Sequence, residues 1–298
     1  MRSWLIIPAM AVTSVGAALG LGARSPEVIV TLGVAGGSAT AAVRALAGDS
    51  PASLVGAAIA PLLMIASWFD VGLVDDPMLV RTALGIAAMA WCIVELSRPT
   101  QTPLVAALPA TVAGVLIPSA VALLAIAGAR AMSAPWQRPR WAVIVPVVGG
   151  LAIVAAVMSG TARHGAFGEL GTAWFGHSPT PITPMGWLVG AGDSLGPLTA
   201  AAAIAGGLLI LRRRHAEIAL LACGAGAMLV DLRGGSIDAV TIGVAAIASS
   251  LAIGRLAALI KLAPGQAIAG ATAGLLLLVP PAWVAIDREV RGLEQPRE

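Results

Sequence analysis

Apolar runs long enough to cross a bilayer recur from one end of this chain to the other, and that recurrence dictates the fold class. A membrane-spanning helix needs about 20 consecutive, mostly apolar residues. Runs of that kind lie at approximately 3–22, 27–47, 52–69, 78–95, 103–129, 141–160, 187–211, 216–231, 237–259 and 266–286. The pattern predicts an all-α, polytopic transmembrane bundle of about ten spans, nine to eleven, forming one integral membrane domain over 1–298. Run 27–47 carries Gly36, Gly37 and Arg44, run 187–211 is interrupted by Asp193, and run 216–231 is short. Run 103–129 is long and holds Pro109 and Pro118, so it reads as a broken or re-entrant element.

Composition excludes the alternatives. Hydrophobic residues make up 58% of the 298 and charged residues only 11%, against about 25% charged in soluble proteins. The mean hydropathy is +0.91. Glycine (35) and proline (20) are abundant, but they sit inside apolar runs, where membrane helices tolerate them, so disorder is not the reading. The net charge of +3 comes from arginines scattered through short loops, without the stripe or aromatic interleaving of a nucleic-acid binder. Cys92 and Cys223 lie in different apolar runs with no CxxC and no nearby histidine, so they read as small apolar core residues. One lysine against seventeen arginines, with abundant Ala and Gly, suggests a GC-rich bacterial source and hence a multi-pass protein of the bacterial inner membrane.

Trp4, Trp68, Trp91, Trp136, Trp141, Trp174, Trp187 and Trp283 lie at or near run ends. Indole rings favour the headgroup level, so all eight are expected in an interfacial belt. The first run, behind Arg2, is nearer the length of a span than of a signal core and is read as the first transmembrane helix. Arg130, Arg138 and Arg140 form one basic loop and Arg212, Arg213 and Arg214 another, so both are expected in the cytoplasm, with segment 161–186 opposite. With ten spans both termini would face outward, which conflicts with the arginines of the tail; a re-entrant 103–129 changes the parity.

Two stretches echo each other. LVDDPMLVRTALGIAAMA at 73–90 and LVDLRGGSIDAVTIGVAAIA at 229–248 each end a span at LVD and open the next with a Gly-x-Ala-Ala-x-Ala pattern. The spacing divides the chain into halves 1–135 and 136–298, and a repeat of five spans is necessarily inverted, as in many transporters.

Intramembrane charge marks function. Asp193 stands in Gly190-Ala191-Gly192-Asp193-Ser194-Leu195-Gly196-Pro197, where the glycines and proline predict an unwound helix. Unwound backbone with a carboxylate can bind a cation or a substrate amine; the same stretch also reads as a loop with a solvated Asp. Glu95, Arg81, Arg255, Asp231, Asp238 and Arg44 lie near run ends and are expected to snorkel to the interface. The longest polar connection, 161–186, contributes Glu169 and His177 as candidate ligand-binding residues. Their spacing forms no metal motif, and with no P-loop, dinucleotide fingerprint, HExxH or GxSxG, no cofactor or metal is expected.

Glu169-Leu170 with Ala173, Gly176, His177 and Pro179 is similar to the first outer loop of multispanning glycosyltransferases of the GT-C class. That resemblance implies a lipid-linked sugar donor and a transfer role for the acidic residue, Glu169. It covers about twenty residues and follows about six spans here, where the family's loop follows the first. The size and span count also resemble ten-span drug/metabolite-type transporters, without their motifs. Three functions follow: a transporter or permease for a small solute, a membrane-embedded transferase with a lipid-linked substrate, or an accessory subunit with a membrane-protein partner or a second copy of itself. A path through the bilayer is favoured, because almost no mass lies outside the runs.

Overall fold

The computed structural model describes residues 5–70, 77–98, 103–133, 183–209, 215–234 and 239–294. Among them every regular element is helical: α1 (Ile6–Gly20), α2 (Pro26–Ala47), α3 (Pro51–Asp70), α4 (Pro77–Ser97), α5 (Pro103–Leu116), a 3-10 turn (Pro118–Val121), α6 (Ala122–Ser133), α7 (Pro184–Leu195), α8 (Pro197–Leu209), α9 (His215–Gly234), α10 (Ala239–Ala257) and α11 (Ala263–Glu294). Five helices among the described residues are long and apolar enough to cross a membrane: Pro26–Ala47, Pro51–Asp70, Leu79–Ser97, Ala239–Ala257 and Ala263–Asp287. The protein is therefore a multi-pass, all-helical membrane protein, and five spans is the number these residues support where ten were expected. Run 3–22 yields the shorter α1, runs 103–129 and 187–211 each yield two short helices, and run 141–160 lies outside the described residues.

The bundle closes around α10, which packs against α2, α3, α4, α8, α9 and α11. Every residue from Ala239 to Gly254 is buried. In lipid, helices gain no hydrophobic energy from one another, so close packing of small residues and interhelical hydrogen bonds must hold them. A β-carbon added to Gly56 of α3 would stand 2.5 Å from the Ser250 carbonyl of α10, and one on Gly254 would stand 3.2 Å from the Ser53 α-carbon. One on Gly206 of α8 would overlap the carbonyl of Ala248. A β-carbon on Gly33 or Gly37 would meet Val15 and Ala11 of α1 at 2.8 and 3.1 Å. Gly224 meets Val244 only at an ordinary 3.6 Å.

Cross-links fix helix directions. The Trp68 indole at the end of α3 donates to the Ala239 carbonyl at the start of α10 (2.8 Å), and the Arg255 Nη2 near the end of α10 donates to the Leu46 carbonyl at the end of α2 (3.1 Å). The C-terminal ends of α2 and α10 thus share one face of the bundle, and α3 runs antiparallel to α10. Ile86 of α4 fills the space over Gly243 of α10. Because α3 ends beside the start of α10 and α4 opens only seven residues later, at Pro77, the C-terminal end of α4, with Arg98, lies on the face of Arg44 and Arg255.

Run 103–129 does break at Pro118. Ile117 is extended (φ −133°, ψ 123°), and α6 packs back onto α5, with Gly114 facing Val121 and Leu124. The tip of this pair seats Leu116 and Ile117 on Gly85 of α4, and the Arg81 Nε caps the free Leu116 carbonyl at 2.8 Å. At 1.5 Å per residue the 14 residues of α5 extend about 21 Å, short of the roughly 30 Å hydrocarbon layer.

The tryptophan belt needs correction. Trp68 is fully buried and Trp187 half-buried, both with their indole N–H groups engaged inside the protein, whereas Trp91 and Trp283 are exposed. Trp4, Trp136, Trp141 and Trp174 lie outside the described residues.

Candidate functional site

The polar chemistry of the described bundle collects at the two ends of the α9–α10 pair and at a break between α7 and α8. The two helices run antiparallel, so the start of α9 lies beside the end of α10. There Glu217, 2% exposed, accepts a hydrogen bond from the Arg255 Nη2 at 2.8 Å. The same nitrogen reaches the Leu46 carbonyl in the last turn of α2. A carbonyl in that turn has no intrahelical partner, and a cation at a helix C-terminus also meets the negative end of the dipole. One guanidinium therefore ties α2, α9 and α10 together.

At the other end, Asp231 is 1% exposed. Its Oδ2 accepts from the Trp187 Nε1 at 2.9 Å and from the Thr241 Oγ1 at 2.5 Å, joining α7, α9 and α10. Fourteen residues separate Glu217 from Asp231 along α9, about 21 Å at the helical rise. The two polar links thus clamp opposite ends of the same helix pair. Asp231 and Arg255 were expected at the interface as snorkelling side chains. Instead the charges turn inward, because each finds fixed donors or acceptors on neighbouring helices that offset its desolvation.

Between these links the run 187–211 is interrupted. Gly196 has φ +77° and ψ 144°, a conformation that L side chains rarely adopt, and Pro197 opens α8. The Thr183 hydroxyl caps α7 by accepting from the Gly186 N–H at 3.1 Å. Beyond the break, α8 lies against the middle of α10, where the Ser249 hydroxyl donates to the Thr199 carbonyl at 3.1 Å and Gly206 abuts Ala248. Asp193 was expected on unwound backbone. It lies instead in the last turn of α7, three residues before the break. Glycines 190 and 192 are accommodated in the helix, and the chain departs from it only where glycine at positive φ meets proline. Glu169 and His177 lie outside the described residues.

Sequence reasoning missed Glu217 and misread Asp231 and Arg255. The available signal was position. Glu217 and Arg255 sit at abutting ends of two successive apolar runs, as do Asp231 and Thr241, which is the spacing of a helical hairpin bridged at both ends. Glu95 is likewise buried, paired with Arg98 at 3.0 Å. It lines a groove of about 420 Å³ between α4 and α5, with Ala88, Trp91, Val105, Leu108, Pro109 and Val112. No group of three or more His, Cys, Asp or Glu that could hold a metal occurs among the described residues.

Comparison with known proteins finds no matching family model, no matching curated protein and no matching solved structure.

Proposed function

We propose that this chain is a permease-like transporter of the bacterial cytoplasmic membrane that moves a small solute through the bilayer. The observation that carries this reading is the interrupted helix: α7 and α8 meet at Gly196, and α8 lies against the buried central helix α10. Discontinuous helices inside transporters leave main-chain groups free for ligands near the bilayer midplane.

The end of α7 has the chemistry of a cation or amine site. Its last carbonyls lack helical partners, the dipole there is negative, and Asp193 adds a formal negative charge in the same turn. Glu169 and His177, from the connection preceding α7, complete the ligand-binding set we assign. The polar links Glu217–Arg255 and Asp231–Trp187 close the bundle at its two faces and would act as alternate gates. A ten-span plan of two inverted halves, 1–135 and 136–298, belongs with this reading. Its support is that both LVD echoes lead into enclosed helices, α4 and α10.

The test uses purified protein in detergent, melted in sodium chloride or in choline chloride of equal ionic strength. Sodium should raise the wild-type melting temperature by several degrees and leave Asp193→Asn unmoved, and proteoliposomes should take up radiosodium only with Asp193 intact. Equal melting of wild type in both salts, or an unchanged response in Asp193→Asn, overturns the cation site.

A further inference from the structure

We infer that the groove between α4 and α5 is a binding site for one acyl chain of a bilayer phospholipid, with the lipid phosphate held by Arg98. The groove stands apart from the α7–α8 break, so this assignment does not depend on transport.

Its walls are apolar and open sideways. Trp91, Val105, Leu108 and Val112 are all substantially exposed, while small Ala88 forms the floor. Polarity rises in one direction. Ala88 comes first along α4, followed by Trp91, then the buried carboxylate of Glu95, then Arg98 one turn further on. From Ala88 to Arg98 is about 15 Å along the helix. That gradient matches an amphiphile lying along the groove, chain inward and head outward.

The head is specified by Arg98. Glu95, 8% exposed, holds the guanidinium at 3.0 Å, and the arginine side chain remains 46% exposed at the end of α4. An oriented, half-exposed guanidinium is suited to a phosphate oxygen. The same face of the bundle carries exposed Lys261, whose charge favours anionic lipid, while Arg44 and Arg255 there are paired with Asp49 and Glu217. A fatty tail without a phosphate would leave this end of the groove unused.

The experiment is native mass spectrometry of the full chain in detergent with phosphatidylglycerol or with diacylglycerol of identical chains. Wild type should retain one phosphatidylglycerol roughly tenfold better than diacylglycerol. Arg98→Gln should bring the two lipids level. Leu108→Trp, which fills the groove, should lower retention of both. Leu275→Trp, on the exposed face of α11, should change neither. Brominated-chain phosphatidylglycerol should quench wild type more than Trp91→Phe, which reads the same site without filling it. Equal retention of the two lipids by wild type overturns the phosphate contact. Retention that Leu108→Trp leaves unchanged, or that Leu275→Trp lowers equally, overturns the groove, as does quenching indifferent to Trp91.

Discussion

The Trp68 indole N–H points across the bundle to the main-chain carbonyl of Ala239, 2.8 Å away and 171 residues distant in sequence. This bond fixes the end of α3 against the start of α10. Trp68→Phe removes the donor together with part of the bicyclic ring, so the lost hydrogen bond is accompanied by a small cavity. Hydrogen bonds inside membrane proteins contribute about 0.6–2 kcal/mol, so the variant should lose at least that much stability, measured by thermal or denaturant unfolding in detergent. A variant as stable as wild type would show that this link does not hold α3 against α10.

Arg255 and Glu217 allow a sharper test. Removing one partner of a buried pair leaves the other charge uncompensated, at a cost of about 3–5 kcal/mol. Arg255→Met and Glu217→Leu should each fall in that range. The double variant should recover most of the loss. Additive losses in the double variant would show that the two side chains do not act as a pair.

The glycine contacts make an internally controlled series. Gly56→Ala and Gly206→Ala place a methyl group against main-chain carbonyls of α10 and should sharply reduce folded yield. Gly207→Ala and Gly224→Ala meet only side chains at 3.6 Å and should be tolerated. Gly196→Ala introduces a side chain at φ +77°, ψ 144° and should cost about 1–3 kcal/mol by backbone strain alone. Size-exclusion profiles of the purified variants would rank them, and a uniform response across the series would refute the packing argument.

The arginine loop 212–214, expected in the cytoplasm, leads into the start of α9 at the Arg255 face, so that face is the cytoplasmic one on this reading. Asp49, in the turn after α2, and Lys261, after α10, lie on the Arg255 face; Ser25, at the start of α2, lies on the opposite one. Cysteines introduced at Asp49 and Lys261 should resist an impermeant thiol reagent applied from outside, whereas one at Ser25 should react. Labelling of Asp49→Cys and Ser25→Cys to the same extent would reject a membrane-spanning α2.

The runs 27–47, 52–69, 78–95 and 237–259 anticipated α2, α3, α4 and α10 within a few residues, because uninterrupted apolar length determines a helix in lipid. Pro118 correctly marked the break in 103–129. What could not be read was the destination of polar side chains near run ends. An indole at the end of a run is equally satisfied by the headgroup layer or by a carbonyl on another helix, and Trp68 took the second course only because Ala239 was there to receive it. Asp231 and Arg255 followed the same logic. The break near Asp193 was misplaced by three residues, because Gly190 and Gly192 weaken a helix without ending it, whereas the Gly196–Pro197 pair ends it.

The burial of α10 from Ala239 to Gly254 also has a consequence for biosynthesis. Its neighbours include α2, α3 and α4, which emerge from the ribosome long before it, and α11, which emerges after it. Until α10 is made, the small residues that receive it, Gly56 among them, have no partner helix. The contacts that close the bundle can therefore form only after α10 has been synthesised. A chain stopped shortly after α9 would leave those surfaces without their partner, and quality-control proteases would meet it as unfinished protein.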